Sequence, residues 1–210
     1  MKKYGMIFAS VIFTLLIMLI PYQKINADEY DVKTKSAMNI EHKQKIAEYA
    51  AKTINDDDFV FIDAGTTTLM MIPFIKASGA VFVTNGIAHA KALIQAGFKT
   101  YITGGQLKFT TEAIIGHDAA AYIEKYNFTK AFMGTNGIDI DRGFTTPDID
   151  EALIKEAAIK HSYISYILAD SSKFKQISSV TFAKIEKACI IPDKPSDENF
   201  NKLTVVKVVV

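Results

Sequence analysis

The sequence predicts an α/β fold, a mainly parallel sheet with helices on both faces. Three observations predict it. Short, continuously apolar runs alternate with stretches whose apolar residues recur every three or four positions. Of the 210 residues 49% are hydrophobic and 22% charged, enough apolar material for a substantial core and too much for a disordered chain. Polar, glycine-containing clusters directly follow the apolar runs, where open α/β sheets carry their ligands.

Residues 1–27 stand apart from the rest. Lys2 and Lys3 precede an uncharged run from Tyr4 to Gln23, and Ile25-Asn26-Ala27 offers a small residue before Asp28. This is the pattern of an export signal, and the run 4–23 is also long enough to associate with a membrane as an anchor. A buried core helix and a wrong start of a truncated gene are the alternatives. Residues 28–38 read as a linker and 39–210 as one domain. Within it, Glu41–Ile54 predicts a helix with Ile46, Tyr49, Ala50 and Ile54 on one face. Phe59–Ile62 predicts a strand, the run 69–77 (LMMIPFIKA) a helix, Ala80–Thr84 a strand, Gly86–Ala96 a helix and Phe98–Thr103 a strand. The second half repeats the rhythm: helix His117–Lys125, strand Thr129–Met133, helix Asp148–His161 and strand Tyr163–Ala169. Lys187–Ile191 and Thr204–Val210 read as late strands, with Pro192–Asn199 an exposed loop.

Charge and residue usage exclude several functions. Three of the 24 basic residues lie in 1–27, so residues 28–210 carry 21 basic against 23 acidic groups. A domain that binds nucleic acid by itself carries a clear basic excess, so direct nucleic-acid binding by this chain alone is not expected. The single cysteine, Cys189, excludes a disulfide framework and a Cys-rich zinc site, and four histidines without an HExxH spacing speak against any metal centre. There is no GK[ST] loop, GxGxxG or GxSxG, so no nucleotide or dinucleotide cofactor is expected.

Five clusters are predicted to line one rim: Asp63-Ala64-Gly65-Thr66-Thr67, Thr84-Asn85-Gly86, Gly104-Gly105, Gly134-Thr135-Asn136-Gly137 and Asp170-Ser171-Ser172-Lys173. The first reads as a glycine turn entering a helix, where amides and threonine hydroxyls attract an anion and a phosphate is the natural guest. An ordinary capped turn is the alternative. Lys173 pairs with a phosphate or carboxylate, or is a solvated surface lysine. Gly105 permits close backbone approach or a tight turn, and Asn136 meets ligand hydroxyls or caps a turn. By spacing alone Glu151 and Lys155, four apart on a helix, form an ordinary surface salt bridge. His42, His89, His117 and His161 read as surface residues, and Cys189 as a small core residue.

The motifs FIDAGTTT, VTNG, ITGGQLKFTTEAIIG, FMGTNGIDIDRGFTTPDIDEALIK and ILADSSKF, in this order and spacing, resemble the effector-binding domain of DeoR-family transcriptional repressors. The resemblance runs from about Asn39 to the C-terminus. It implies a fold like ribose-5-phosphate isomerase and glucosamine-6-phosphate deaminase, and a sensor, not an enzyme, whose partner is a phosphorylated sugar. The ligand site it implies comprises Asp63, Gly65, Thr66, Thr67, Thr84, Asn85, Gly105, Asn136, Gly137, Glu151, Lys155 and Lys173. Family members begin with a winged helix-turn-helix that reads DNA; here the stretch 1–27 stands in its place. A homo-oligomer is expected.

Two other readings stand beside this one. An isomerase would need the paired acids that similar isomerases carry in an Asp-Gly-Ala-Asp stretch, which corresponds here to Met133-Gly134-Thr135-Asn136 and leaves Glu151 as a lone candidate base. A membrane-tethered or exported binding protein would follow from the N-terminal stretch. Localisation is therefore open between the cytoplasm, as the resemblance implies, and a membrane or exported setting.

Overall fold

The apolar runs become strands, the central ones buried on both faces and the edge run 99–102 largely exposed. In the computed structural model, which describes residues 25–26, 31–194 and 197–209, six of them form one all-parallel sheet. They are β1 (Phe59–Ile62), β2 (Val81–Thr84), β3 (Lys99–Ile102), β4 (Phe128–Gly134), β5 (Ser162–Leu168) and β6 (Cys189–Ile191). The order across the sheet is β6-β5-β4-β1-β2-β3. Successive strands thus run outward from β1 in one direction and from β4 in the other, and the β1/β4 boundary is the point where the winding reverses.

Seven helices accompany the sheet among the described residues: α1 (Val32–Ala37), α2 (Ile40–Ala51), α3 (Thr66–Met71), α4 (Ile87–Gln95), α5 (His117–Ile123), α6 (Ile149–Lys160) and α7 (Glu198–Leu203). The strand period of two splits neighbouring side chains between two cores. Phe61, Val83, Ala131, Met133 and Ile167 pack with Ile123 of α5 and Ile154 of α6. Val60, Ile62, Phe82, Phe132 and Leu168 pack on the other face with Ile46 of α2, Met71 of α3 and Leu93 of α4. The expected architecture, a mainly parallel sheet covered on both sides, is the one observed.

Several boundaries differ, each for a local reason. The helix expected over 69–77 begins earlier, at Thr66, and stops at Met71; a 3-10 turn, Ile72–Phe74, follows because Pro73 has no N–H to continue the α ladder. Thr204–Val210 is no strand over its described part, where a single bridge joins Val206 to Ile190. Nor is Pro192–Asn199 a plain exposed loop. Pro192 and Asp193 are buried, since the Pro192 carbonyl accepts from Val209 N and Asp193 accepts from Ser171 N, and α7 opens at Glu198. Lys187–Ile191 shortens to Cys189–Ile191, behind a 3-10 turn at Ile185–Lys187. Within the stretch 28–38, expected as a linker, residues 32–37 form α1. Two antiparallel pieces carry no clear period in the sequence: the hairpin Gln106–Lys108 with Ala113–Ile115, and a three-stranded sheet of Gly137–Asp139, Gly143–Thr146 and Val180–Ala183.

The anchor or export reading of residues 4–23 lies outside the described residues. Among those described, no helix is long and apolar enough to cross a membrane.

Candidate functional site

Where the winding reverses, the loops leaving β1 and β4 part and leave a crevice at the carboxyl end of the sheet. The cleft there is lined by residues 63–67 after β1, Asn85 after β2, residues 134–136 after β4 and residues 168–170 with Lys173 after β5. Glu151 and Lys155 reach it from α6, and Lys43 from α2. Val32 and Lys35 of α1 and Thr111 and Ala113 of the hairpin complete the wall. The loops headed by Asp63, Asn85, Asn136 and Asp170 therefore share one cavity.

Its framework is hydrogen-bonded throughout. Asn85 accepts from Ala64 N (3.0 Å) through Oδ1 and donates to the Ile114 carbonyl (3.1 Å) through Nδ2, joining three segments. Asp63 forms a buried ion pair with Lys155, accepts from Gly134 N at 3.2 Å on the same oxygen, and Lys155 also donates to the Gly134 carbonyl at 3.2 Å. Glu151 Oε1 accepts from Lys108 Nζ at 2.9 Å and from the Thr111 hydroxyl at 3.2 Å. The Thr146 hydroxyl is 3.4 Å from both Glu151 Oε2 and Asn136 Oδ1.

A second group of cations is arranged differently. Lys43 is buried and donates to the Lys35 carbonyl and to Thr66 Oγ1, the latter at 3.2 Å. Burial pushes its ammonium below the usual lysine range, Asp170 opposes that shift, and the Lys173 and Lys35 charges add to it. Lys173 is lowered in the same direction, again chiefly by burial. Among the described residues neither Lys43 nor Lys173 has a carboxylate within the 4.0 Å of an ion pair. Asp170 itself is engaged by Ser172 N (3.0 Å), the Ser172 hydroxyl and Asn39 Nδ2 (3.2 Å).

Residues 38–194 match the family profile described as the DeoR C-terminal sensor domain. The chain belongs to the DeoR family. This DeoR domain is 46% identical over 185 residues to an "Uncharacterized HTH-type transcriptional regulator FruR" of Bacillus subtilis, covering 86% of this chain and 74% of that protein. It is 36% identical over 154 residues to the HTH-type transcriptional regulator GlpR of Haloferax volcanii (73% of this chain, 60% of that protein). It is 29% identical over 186 residues to a lactose phosphotransferase system repressor of Staphylococcus aureus (86% and 74%). Among solved structures, ribose 5-phosphate isomerase A of Methanocaldococcus jannaschii overlaps it with a TM-score of 0.47 and 13% identity, over 65% of this chain and 55% of that one.

Nine of the twelve residues expected at the site of the DeoR domain line the cleft: Asp63, Gly65, Thr66, Thr67, Asn85, Asn136, Glu151, Lys155 and Lys173. Thr84, Gly105 and Gly137 do not, and each has a structural task instead. Thr84 is fully buried and its hydroxyl accepts from Gly86 N at 3.1 Å, closing the turn that presents Asn85. Gly105 holds a φ of +141°, and a Cβ there would come within 2.9 Å of the Ile115 carbonyl. Gly137 sits in a short strand pressed against the Gln176 carbonyl and Thr145. Glu151 and Lys155 depart from the bland expectation: they face the cleft, and each pairs elsewhere, with Lys108 and Asp63.

His89, expected on the surface, is buried beneath the Gly65 turn of the DeoR domain. Its Nε2 lies 3.0 Å from the Gly65 carbonyl and 3.1 Å from Thr68 Oγ1. Burial, against the pull of the Asp63 charge, holds its pKa down at about 4, so the ring is neutral at pH 7. Cys189 is half-buried on the edge strand β6, and burial raises its thiol above the ordinary value. Lys43, like Val32 and Lys35, is a cleft residue outside the motifs. Its signal was present in α2, where it lies three, four and seven positions before Ile46, Ala47 and Ala50, all buried.

Proposed function

We propose that this DeoR domain binds a phosphorylated sugar as a non-catalytic sensor, with the phosphate against Lys43, Lys173 and the Thr66 hydroxyl. One observation carries the reading. Among the lysines of the cleft, Lys155 is matched by the Asp63 carboxylate, whereas Lys43 and Lys173 face the cleft without an ion pair among the described residues. Cations withdrawn from water without a directly paired carboxylate are costly, and a bound anion offsets that cost. Each charge-assisted hydrogen bond to phosphate contributes roughly 1.5–3 kcal/mol. Asn136, Glu151 and Asp63 suit the hydroxyls of the sugar.

The same arrangement argues against proton-transfer catalysis. Asp63 is tied to Lys155, Glu151 to Lys108 and Thr111, Asp170 to Ser172 and Asn39, and position 136 carries an amide in place of an acid, which disfavours a carboxylate of the cleft acting as a general base. The relatives are named as transcriptional regulators and repressors, and a transcriptional output through the same ligand is the role assigned here. Such an output requires that the sugar phosphate favour one of two conformational states, since equal affinity for both shifts nothing.

Calorimetry of the full chain against hexose and pentose phosphates, each beside its unphosphorylated sugar, tests the reading. At least one ester binds and its parent sugar does not; Lys43→Met and Lys173→Met each weaken binding about ten- to hundredfold, and Thr66→Val less. Absence of binding across the panel, or wild-type affinity in both lysine variants, overturns it.

A further inference from the structure

The charges of the cleft are unevenly distributed. Lys43 and Lys173 both line the cleft with Lys35 and Asp170; the Lys173 charge depresses the charged form of Lys43, Lys35 acts in that direction on both, and the Asp170 carboxylate opposes it. That group suits one dianionic phosphate. The wall reached from α6 has the opposite character: Asp63, Glu151 and Lys155 line it, and Lys108, outside the lining, joins Glu151 to Asp148, three carboxylates to two ammoniums in all. Both of those lysines already donate to carboxylates there. A hydroxyl, by contrast, finds acceptors. Both bonds to Asp63 use Oδ2, which leaves Oδ1 to accept, and Glu151 Oε2 takes a single long bond from Thr146 at 3.4 Å.

We infer that the cleft selects a sugar bearing one phosphate and an otherwise uncharged, hydroxylated body, and that Glu151 with Asp63 repels a second phosphate or a sugar carboxylate. The inference rests on the sugar-phosphate reading above. Excess negative charge on a water-poor wall disfavours a like-charged ligand group strongly, because the repulsion is little screened and the nearby ammoniums are occupied. Specificity of this kind comes from building in the repulsion as well as the attraction. Both carboxylates line the cleft, but Glu151 is the specificity-determining residue, since its Oε2 takes only the long Thr146 bond, whereas Asp63 is held in a buried pair with Lys155.

The test is calorimetry of the full chain with a hexose monophosphate, the matching hexose bisphosphate and inorganic phosphate, in wild type, Glu151→Gln and Asn136→Asp. The quantity read is the ratio of the two ester affinities within each protein, so a general loss of affinity in a variant cancels. Wild type prefers the monophosphate by at least about tenfold. Glu151→Gln narrows that ratio about tenfold, and Asn136→Asp, which adds a negative charge to the same wall, widens it. A bisphosphate bound as tightly as the monophosphate by wild type overturns the inference and leaves the sensor reading standing. Ratios unmoved in both variants overturn the role of Glu151. Binding of neither ester overturns the reading underneath.

Discussion

Burial divides the lysines of this domain into two kinds. Lys155 and Lys130 are neutralised by Asp63 and Asp58, and Lys108 by Asp148 and Glu151, while Lys43 and Lys173 face the cleft without an ion pair among the described residues. Removing one partner of a buried pair leaves the other uncompensated, which makes Asp63 both a cleft residue and a structural one. His89 adds a pH dependence at the same turn. Its folded pKa of about 4 lies below the ordinary 6.5, so between those values the unfolded chain takes up a proton that the folded ring refuses. Stability from this residue is therefore complete above about pH 6.5 and is lost as pH falls toward 4, by on the order of 3 kcal/mol. Urea unfolding at pH 7 and pH 4.5 checks it: the wild type loses more stability between the two than His89→Gln, and equal losses refute the assignment. The Asp63–Thr67 motif was legible in sequence, but the histidine supporting it was not. Its one clue is the four-residue spacing to Leu93, the other buried residue of α4.

At the scale of elements, α6 shows how a helix start becomes part of the site. Asp148 caps it by accepting from Asp150 N (2.8 Å) and Glu151 N (3.1 Å), and the same carboxylate takes Lys108 Nζ at 2.8 Å from the hairpin. Burial acts to raise its pKa, but Lys108 and the two amides outweigh it and hold the group below the ordinary carboxylate value. Asp148→Ala costs about 1–2 kcal/mol of stability. Hydrogen exchange of residues 106–115 also rises in the variant, because one of the two carboxylates holding Lys108 is gone; unchanged exchange there refutes the tether. The strands were readable to within a residue or two at β1, β2, β4 and β5, because burial on both faces writes a continuous apolar run. The Gly137–Thr146 hairpin was not. Its fixing contacts are the two amides of Asp141 and Arg142 on Asp139 Oδ1, each at 3.0 Å, and a positive φ at Gly143, which read in sequence as ordinary loop residues.

For the whole molecule, the reversal of strand order between β1 and β4 decides where the cleft opens. The proposed sensor role predicts stabilisation by mass action: at a hundred times its Kd a sugar phosphate adds about 2.7 kcal/mol, which for a domain of this size raises Tm by roughly 5–10 °C. Thermal melts with and without the ester that binds in calorimetry check this, and Lys43→Met at the same ester concentration shows little of the shift. A full shift in that variant places the ligand elsewhere. The alternation of strands and helices, the polar clusters at strand ends and the family motifs are written locally, because burial period and turn chemistry are properties of neighbouring residues. Which lysines are neutralised, and which of the expected site residues line the cleft, follows from the three-dimensional packing alone. Asp63 and Lys155 are 92 positions apart, and whether two such charges meet depends on how the sheet brings their segments together.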